Sequence, residues 1–224
     1  MTRSRFIIVV MAALCLPAFA GDLIDRIVAT VNRDAILQSD WDDEVRYEAF
    51  VGGRSLEHVT NEDRKSALDR LIDQALLREQ TRFANASPAP AKEIEKRISE
   101  IRRQYSGADT PEGWTGVLRS YGLTAQDLRE RVAAQMELMQ MVEARLRPSV
   151  SIDAKSIESY YNQELLPQLR QAGAQDVPLA EVTPQIKELL TQKKMNQMLT
   201  AWLQNLRAGS EIHTAAPESQ GIAR

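Results

Sequence analysis

A mainly α-helical fold of about six helices with a minor β element is what this 224-residue sequence predicts, and three observations carry it. Apolar residues recur at three- and four-residue steps from Leu68 to Leu206, the spacing of one helix face. Strand-like stretches occur at Arg26–Val31, with Ala35–Leu37 as a short return, and at the far end in Glu211–Thr214. Capping residues and breakers cut the helical region into pieces: Thr60, Thr124 and Asp153 as starts, Pro111, Gly122, Pro148 and Gly209 as punctuation.

Residues 1–20 read as a targeting segment. Arg3 and Arg5 precede an apolar run from Phe6 to Leu16, and Ala18-Phe19-Ala20 offers a small-x-small cleavage site. Cys15 lies inside this segment, so the chain expected from Gly21 onward has no cysteine and neither a disulfide framework nor a thiol nucleophile. Removing the segment takes away two arginines and no acids, leaving 26 Lys+Arg against 31 Asp+Glu and a formal charge of −5. No basic patch suggests nucleic acid. Export to the periplasm, with no stable membrane anchor, is the expectation.

The stretch Asp25–Glu48 organises the rest. From Arg26 to Val31, alternation places Ile27, Ala29 and Val31 on one face and Arg26, Val28 and Thr30 on the other. Asn32-Arg33-Asp34 is turn chemistry, and Ala35-Ile36-Leu37 returns as a second extended piece. Ser39 is positioned to cap a helix whose first turn holds Asp40, Asp42 and Asp43. A strand at one end of the chain needs a partner. Glu211–Thr214 is the remaining strand-like segment, so the two ends are expected to pair.

Between them, Thr60 with Asp63 opens a helix with Leu68, Leu71, Ile72, Ala75, Leu76 and Phe83 on one stripe. After a break at Asn85–Pro90 come Ile94, Ile98, Ile101 and Tyr105. Pro111–Tyr121 is a short helix with Trp114, ended by Gly122. Thr124 and Asp127 open a long helix whose stripe is Leu128, Val132, Met136, Met139, Val142 and Leu146, with Leu138 and Met141 beside it. Asp153 caps a helix through Leu165, and residues 166–177 form a polar linker. The last helix is expected to start at Thr183-Pro184 and to run to Gly209. The domain reading is one core built from residues 21–165 and 178–214, with a polar tail at 215–224.

Catalytic and metal signatures are missing from the sequence: it has no GxxxxGK[ST], no HExxH and no Cys/His zinc spacing. Its two histidines, His58 and His213, read as surface residues. The acids Asp40, Asp42, Asp43 and Glu44 could be read as a cation site, but a helix N-terminus favours acids in any case. No cofactor, metal or ATP is expected. The functional signal is apolar. Methionine is polarisable and adaptable, and it recurs on promiscuous surfaces. Periodicity assigns Met136 and Met139 to the core, and Trp41 and Trp114 read as anchors. Leu138, Met141, Met195, Met198 and Trp202 remain as candidates for a peptide-binding crevice, on faces too broad for one internal contact.

Five blocks then carry a resemblance. They are Arg26–Asn32 with Ile36 and Ser39-Asp40; Leu68 to Glu79, including Leu71-Ile72-Asp73-Gln74; Tyr121-Gly122-Leu123-Thr124 with Leu128, Arg129 and Gln135–Met141; Val150 to Tyr160-Tyr161-Asn162; and Val182 to Ile212, including Trp202-Leu203 and Leu206-Arg207. In this order they resemble the SurA family of periplasmic chaperones. The resemblance implies a helical core closed by a returning C-terminal helix and strand, and ATP-independent binding of unfolded outer-membrane β-barrel proteins. Family members typically carry parvulin-type prolyl isomerase domains between the last two blocks. Here 29 residues separate Pro148 from Pro178, whereas a compact domain needs about 50 or more. The expectation is therefore a non-enzymatic holdase. The alternatives are a module binding one folded periplasmic partner, or a homodimer, through the same apolar surface, and an isomerase by family label only.

Overall fold

A computed structural model describes residues 25–82 and 87–215. Strand β1 (Ile27–Val31) turns into β2 (Asp34–Leu37) through Asn32, whose φ of 53° is one that a short polar side chain tolerates. The C-terminal strand β3 (Ile212–Thr214) pairs antiparallel with the other edge of β1, giving the order β2-β1-β3. The two ends of the described chain thus meet, as expected. The simple alternation does not hold, however. A bulge between Ile27 and Ala29 inserts Val28 into β1, so Val28, Ala29 and Val31 are buried while Ile27 is half exposed.

Helix α1 (Gln38–Val51) begins two residues earlier than a Ser39 cap would place it. The Asp40 carboxylate accepts from the Leu37 amide at 3.0 Å, and the Ser39 amide and hydroxyl both donate to Asp25. Asp25, placed just before β1, supplies the acceptor that Ser39 was expected to provide. Helix α1 packs against α2 (Asn61–Thr81), which opens with the expected Thr60–Asp63 capping box. Phe83 and part of the break at Asn85–Pro90 lie outside the described residues.

Next come α3 (Ala91–Arg102), α4 (Pro111–Ser120), capped by the Thr110 hydroxyl, and α5 (Ala125–Leu146), capped by Thr124 with Asp127. Gly122 sits at φ 69° and ends α4 as the left-handed residue that the sequence marked. The Asp153 carboxylate accepts from the Ser156 amide at 2.7 Å and starts α6 (Ala154–Tyr160). A π-turn at Tyr161–Leu165 leads directly into α7 (Leu166–Gln171), so half of the expected linker 166–177 is helical. In a regular helix the Pro167 ring would press on the carbonyl of Gln163, which lies inside this wider turn. Counted with this continuous run as one, there are seven helices among the described residues.

Helix α8 (Leu179–Ala208) is 30 residues long and starts five residues before the expected Pro184. Pro184 lies in its second turn, where only the bond to the Ala180 carbonyl is forfeited, and the Thr183 hydroxyl donates to Leu179 O at 2.7 Å. Three apolar clusters result. One joins the sheet to α1 and α2 through Val28, Val31, Ile36, Trp41, Val45, Ile72 and Leu76. The second packs Phe50, fully buried, with Tyr105, Trp114 and Tyr121 among α1, α3, α4 and α5. The third lies between α2, α5 and α8. Trp41 and Trp114 are buried anchors, as predicted.

Helix α5 serves two of these clusters, and its buried face turns between them. Its first half presents Leu128 and Val132 to the aromatic cluster. Its second half presents Leu138, Val142 and Leu146 to α8. At 100° per residue the centres of the two faces differ by about 60°, a sixth of a turn. Met139, expected in the core, continues the first face past the end of the aromatic cluster and is 47% exposed, whereas Leu138 is buried. Met136 stays partly buried against the aromatic cluster.

Candidate functional site

The five crevice candidates come together at the seam of α5 and α8. From Met195 to Leu206, twelve residues of α8 contain no charged side chain, in a chain that is 26% charged. Met195, Met198, Leu199, Trp202, Leu203 and Leu206 recur there at helical spacing and pack with Leu138, Met141 and Val142 of α5 and Leu77 of α2. Leu138 and Met195 are each only 7% exposed and form the packed interior of the seam. Met141, Met198 and Trp202 are half-buried and keep part of their apolar surface in solvent.

Polar clasps hold both ends of the seam. At one, Arg147 joins Glu143 of its own helix at 2.8 Å and Glu188 of α8 at 2.9 Å. At the other, Arg207 reaches Asp73 at 2.6 Å and Asp69 at 3.2 Å, and also donates to the Asp69 carbonyl. These carboxylates hold the Arg207 guanidinium more firmly charged than usual. Between the clasps, the Arg145 guanidinium lies over the Trp202 ring, 4.9 Å from its centre.

The acidic run of α1 is spent on internal pairing. Asp42 holds Arg64 at 2.6 Å, Asp43 pairs with Arg46 and Arg131, and Asp40 caps the helix. Glu44 is buried, with Arg131 at 3.3 Å and Gln74 at 3.5 Å. Burial pushes its carboxyl above the usual range and nearby Glu48 adds to this, while Arg131 and Arg70 pull the other way. Among the described residues, no three His, Cys, Asp or Glu side chains converge as a metal ion would need. His58 and His213 are exposed. A shallow hollow of about 340 Å³ opens against α6 and α8, lined by Asp153, Lys155, Ser156, Ser159, Tyr160 and Leu190. Its lining is largely polar, unlike the seam.

A family model described as the SurA-like N-terminal domain matches residues 1–142, well over half of the chain. The chain belongs to this family. Its strands β1 and β2 and helices α1 to α5 lie almost wholly within the matched residues, while α8 and β3, which complete the sheet and the seam, lie beyond them. The SurA-like chain is also similar to the chaperone SurA of Chromohalobacter salexigens, 26% identical over 161 residues. That stretch covers 71% of this chain but 36% of the relative, so the SurA-like chain matches about a third of the relative's length.

Sequence reasoning missed Leu77, Arg145 and the clasp residues of this site. Leu77 is one more apolar residue on α2, and only the third cluster distinguishes it. Arg145 follows Met141 by four residues, as Trp202 follows Met198, which puts each pair on one face of its helix. That spacing was visible, but the meeting of the two pairs is a tertiary fact. Among the described residues, no helix is long and apolar enough to cross a membrane.

Proposed function

We propose that this SurA-like chain is an ATP-independent periplasmic holdase that binds extended apolar segments of unfolded outer-membrane β-barrel proteins. One observation carries the reading: a charge-free stretch of α8 sets Met198 and Trp202, both half-buried, against Met141 on α5. Flexible thioethers and an indole suit varied apolar side chains better than one fixed partner. Barrel strands alternate apolar and polar residues and cannot bury their lipid face in water, so they match such a surface. A holdase must also release. Affinity for one segment is therefore expected near micromolar, about −8 kcal/mol.

The basic start, apolar run and small-x-small site in residues 1–20 support export. No catalysis is proposed. Residues between Pro148 and Pro178, where a parvulin domain would be inserted, run as α6, the π-turn and α7.

Light scattering of a porin diluted from urea, without ATP, tests the reading. Suppression of aggregation at near-stoichiometric ratios is expected, and Met141→Gln with Trp202→Gln should weaken it several-fold while leaving the helical circular dichroism intact. A folded, monodisperse protein that suppresses nothing would overturn the holdase and favour a module for one folded partner.

A further inference from the structure

The reading of the α5–α8 seam as a client site is the basis for a finer inference about the charge that it prefers. Arg147 is fully engaged by Glu143 and Glu188. Arg145, two residues earlier, has the Trp202 ring as its contact, and no carboxylate lies within ion-pair reach among the described residues. The walls around it hold little negative charge. Met195–Leu206 carries none, and the single acid between Leu138 and Arg147 is Glu143, which is already committed to Arg147. A guanidinium lying over an indole face keeps its N–H edge free to bind a carboxylate in plane, so a third group can join without breaking the stack.

Spacing adds a second constraint. Met141 and Arg145 are one turn apart on α5, about 6 Å along the axis. Side chains on the same face of an extended segment repeat every second residue, about 6.6 Å apart. An extended client that seats an apolar side chain against Met141 and Met198 therefore brings the side chain two residues away to Arg145. We propose that the Arg145–Trp202 pair is an anion anchor on the seam, selecting extended segments in which an Asp or Glu side chain lies two residues from a bulky apolar one.

The test compares two fluorescently labelled peptides with both ends blocked, identical except for Leu-x-Glu in one and Leu-x-Gln in the other. Each is titrated into the protein purified after export with its natural N-terminus. The Glu peptide is expected to bind about fivefold more tightly, as one partly exposed charge pair allows. The difference should shrink in high salt and vanish in Arg145→Gln, which is expected to bind the two peptides equally. Equal micromolar binding of both peptides would overturn the anchor and leave the seam intact. Binding of neither would overturn the seam reading and the anchor with it. A preference for Glu that survives Arg145→Gln would assign the charge to another cation, and tight binding of the Gln peptide only when its C-terminus is free would assign the pair to chain ends; either result overturns the proposal.

Discussion

Asn32 shows how one side chain closes this molecule. Its backbone takes the left-handed φ of the hairpin turn, and its amide donates to Glu211 O at 2.8 Å. Its Oδ1 accepts from the Glu211 amide at 2.9 Å, and its Nδ2 donates to Glu79 at 2.7 Å. Asn32→Gly would keep the turn and lose the side-chain bonds, at a cost of about 1–2 kcal/mol in urea denaturation. Asn32→Asp would set a charge against Glu79 and should cost more than the glycine does; wild-type stability in both would contradict this role.

Glu44 gives a prediction with a definite sign. Because the folded chain raises its proton affinity above the ordinary value of 4.5, ionisation removes stability as pH climbs through the window above that value. Glu44→Gln has no such ionisation. The melting temperature of the variant minus that of the wild type should therefore grow from pH 4.5 towards neutral, and a flat difference would contradict the assignment. Asp63 works in the opposite sense. The Thr60 amide and then Arg54 hold it at about 2, so its contribution is complete above 3.8 and fades as pH falls towards 2. The turn role of Asn32 was legible because it is local, whereas the burial of Glu44 was not, since a solvated first turn and a buried carboxylate share one sequence pattern.

At the scale of elements, the same division holds. The caps at Thr60, Thr110, Thr124 and Asp153 are formed with amides three residues on, and local sequence specifies each of them. The face of α5 was misread at Met139 because the helix changes partners half-way along, and periodicity assumes a constant direction of burial. The start of α8 was misplaced because Thr183-Pro184 imitates a helix N-terminus inside a helix that packing carries past it. The α8–α2 clasp is testable at this scale. Arg207→Ala removes contacts to Asp69 and Asp73 from a side chain about a third exposed, and should cost about 1 kcal/mol. Amides of Ile212–Thr214 should then exchange faster with deuterium, while those of α3 and α4 keep wild-type rates. Unchanged exchange in β3 would show that the strand needs no clasp.

For the whole molecule, three clusters of contacts join segments far apart in sequence: sheet to α1–α2, α1 to α3–α5, and α5 to α8. The N-terminal family match contributes most of the first two, and the returning helix and strand complete the first and build the third. The seam therefore exists only when both ends of the chain are folded together. Met139 and Leu189, 47% and 43% exposed, lie away from the seam on the same two helices and serve as internal controls. The most direct measurement places a photoreactive side chain at Met141, Met198, Met139 or Leu189 in turn and illuminates each protein with an unfolded porin. Cross-links from positions 141 and 198, well above those from 139 and 189, are the predicted result. Equal labelling at all four, or stronger labelling at the two controls, would contradict the seam as the place where client is held.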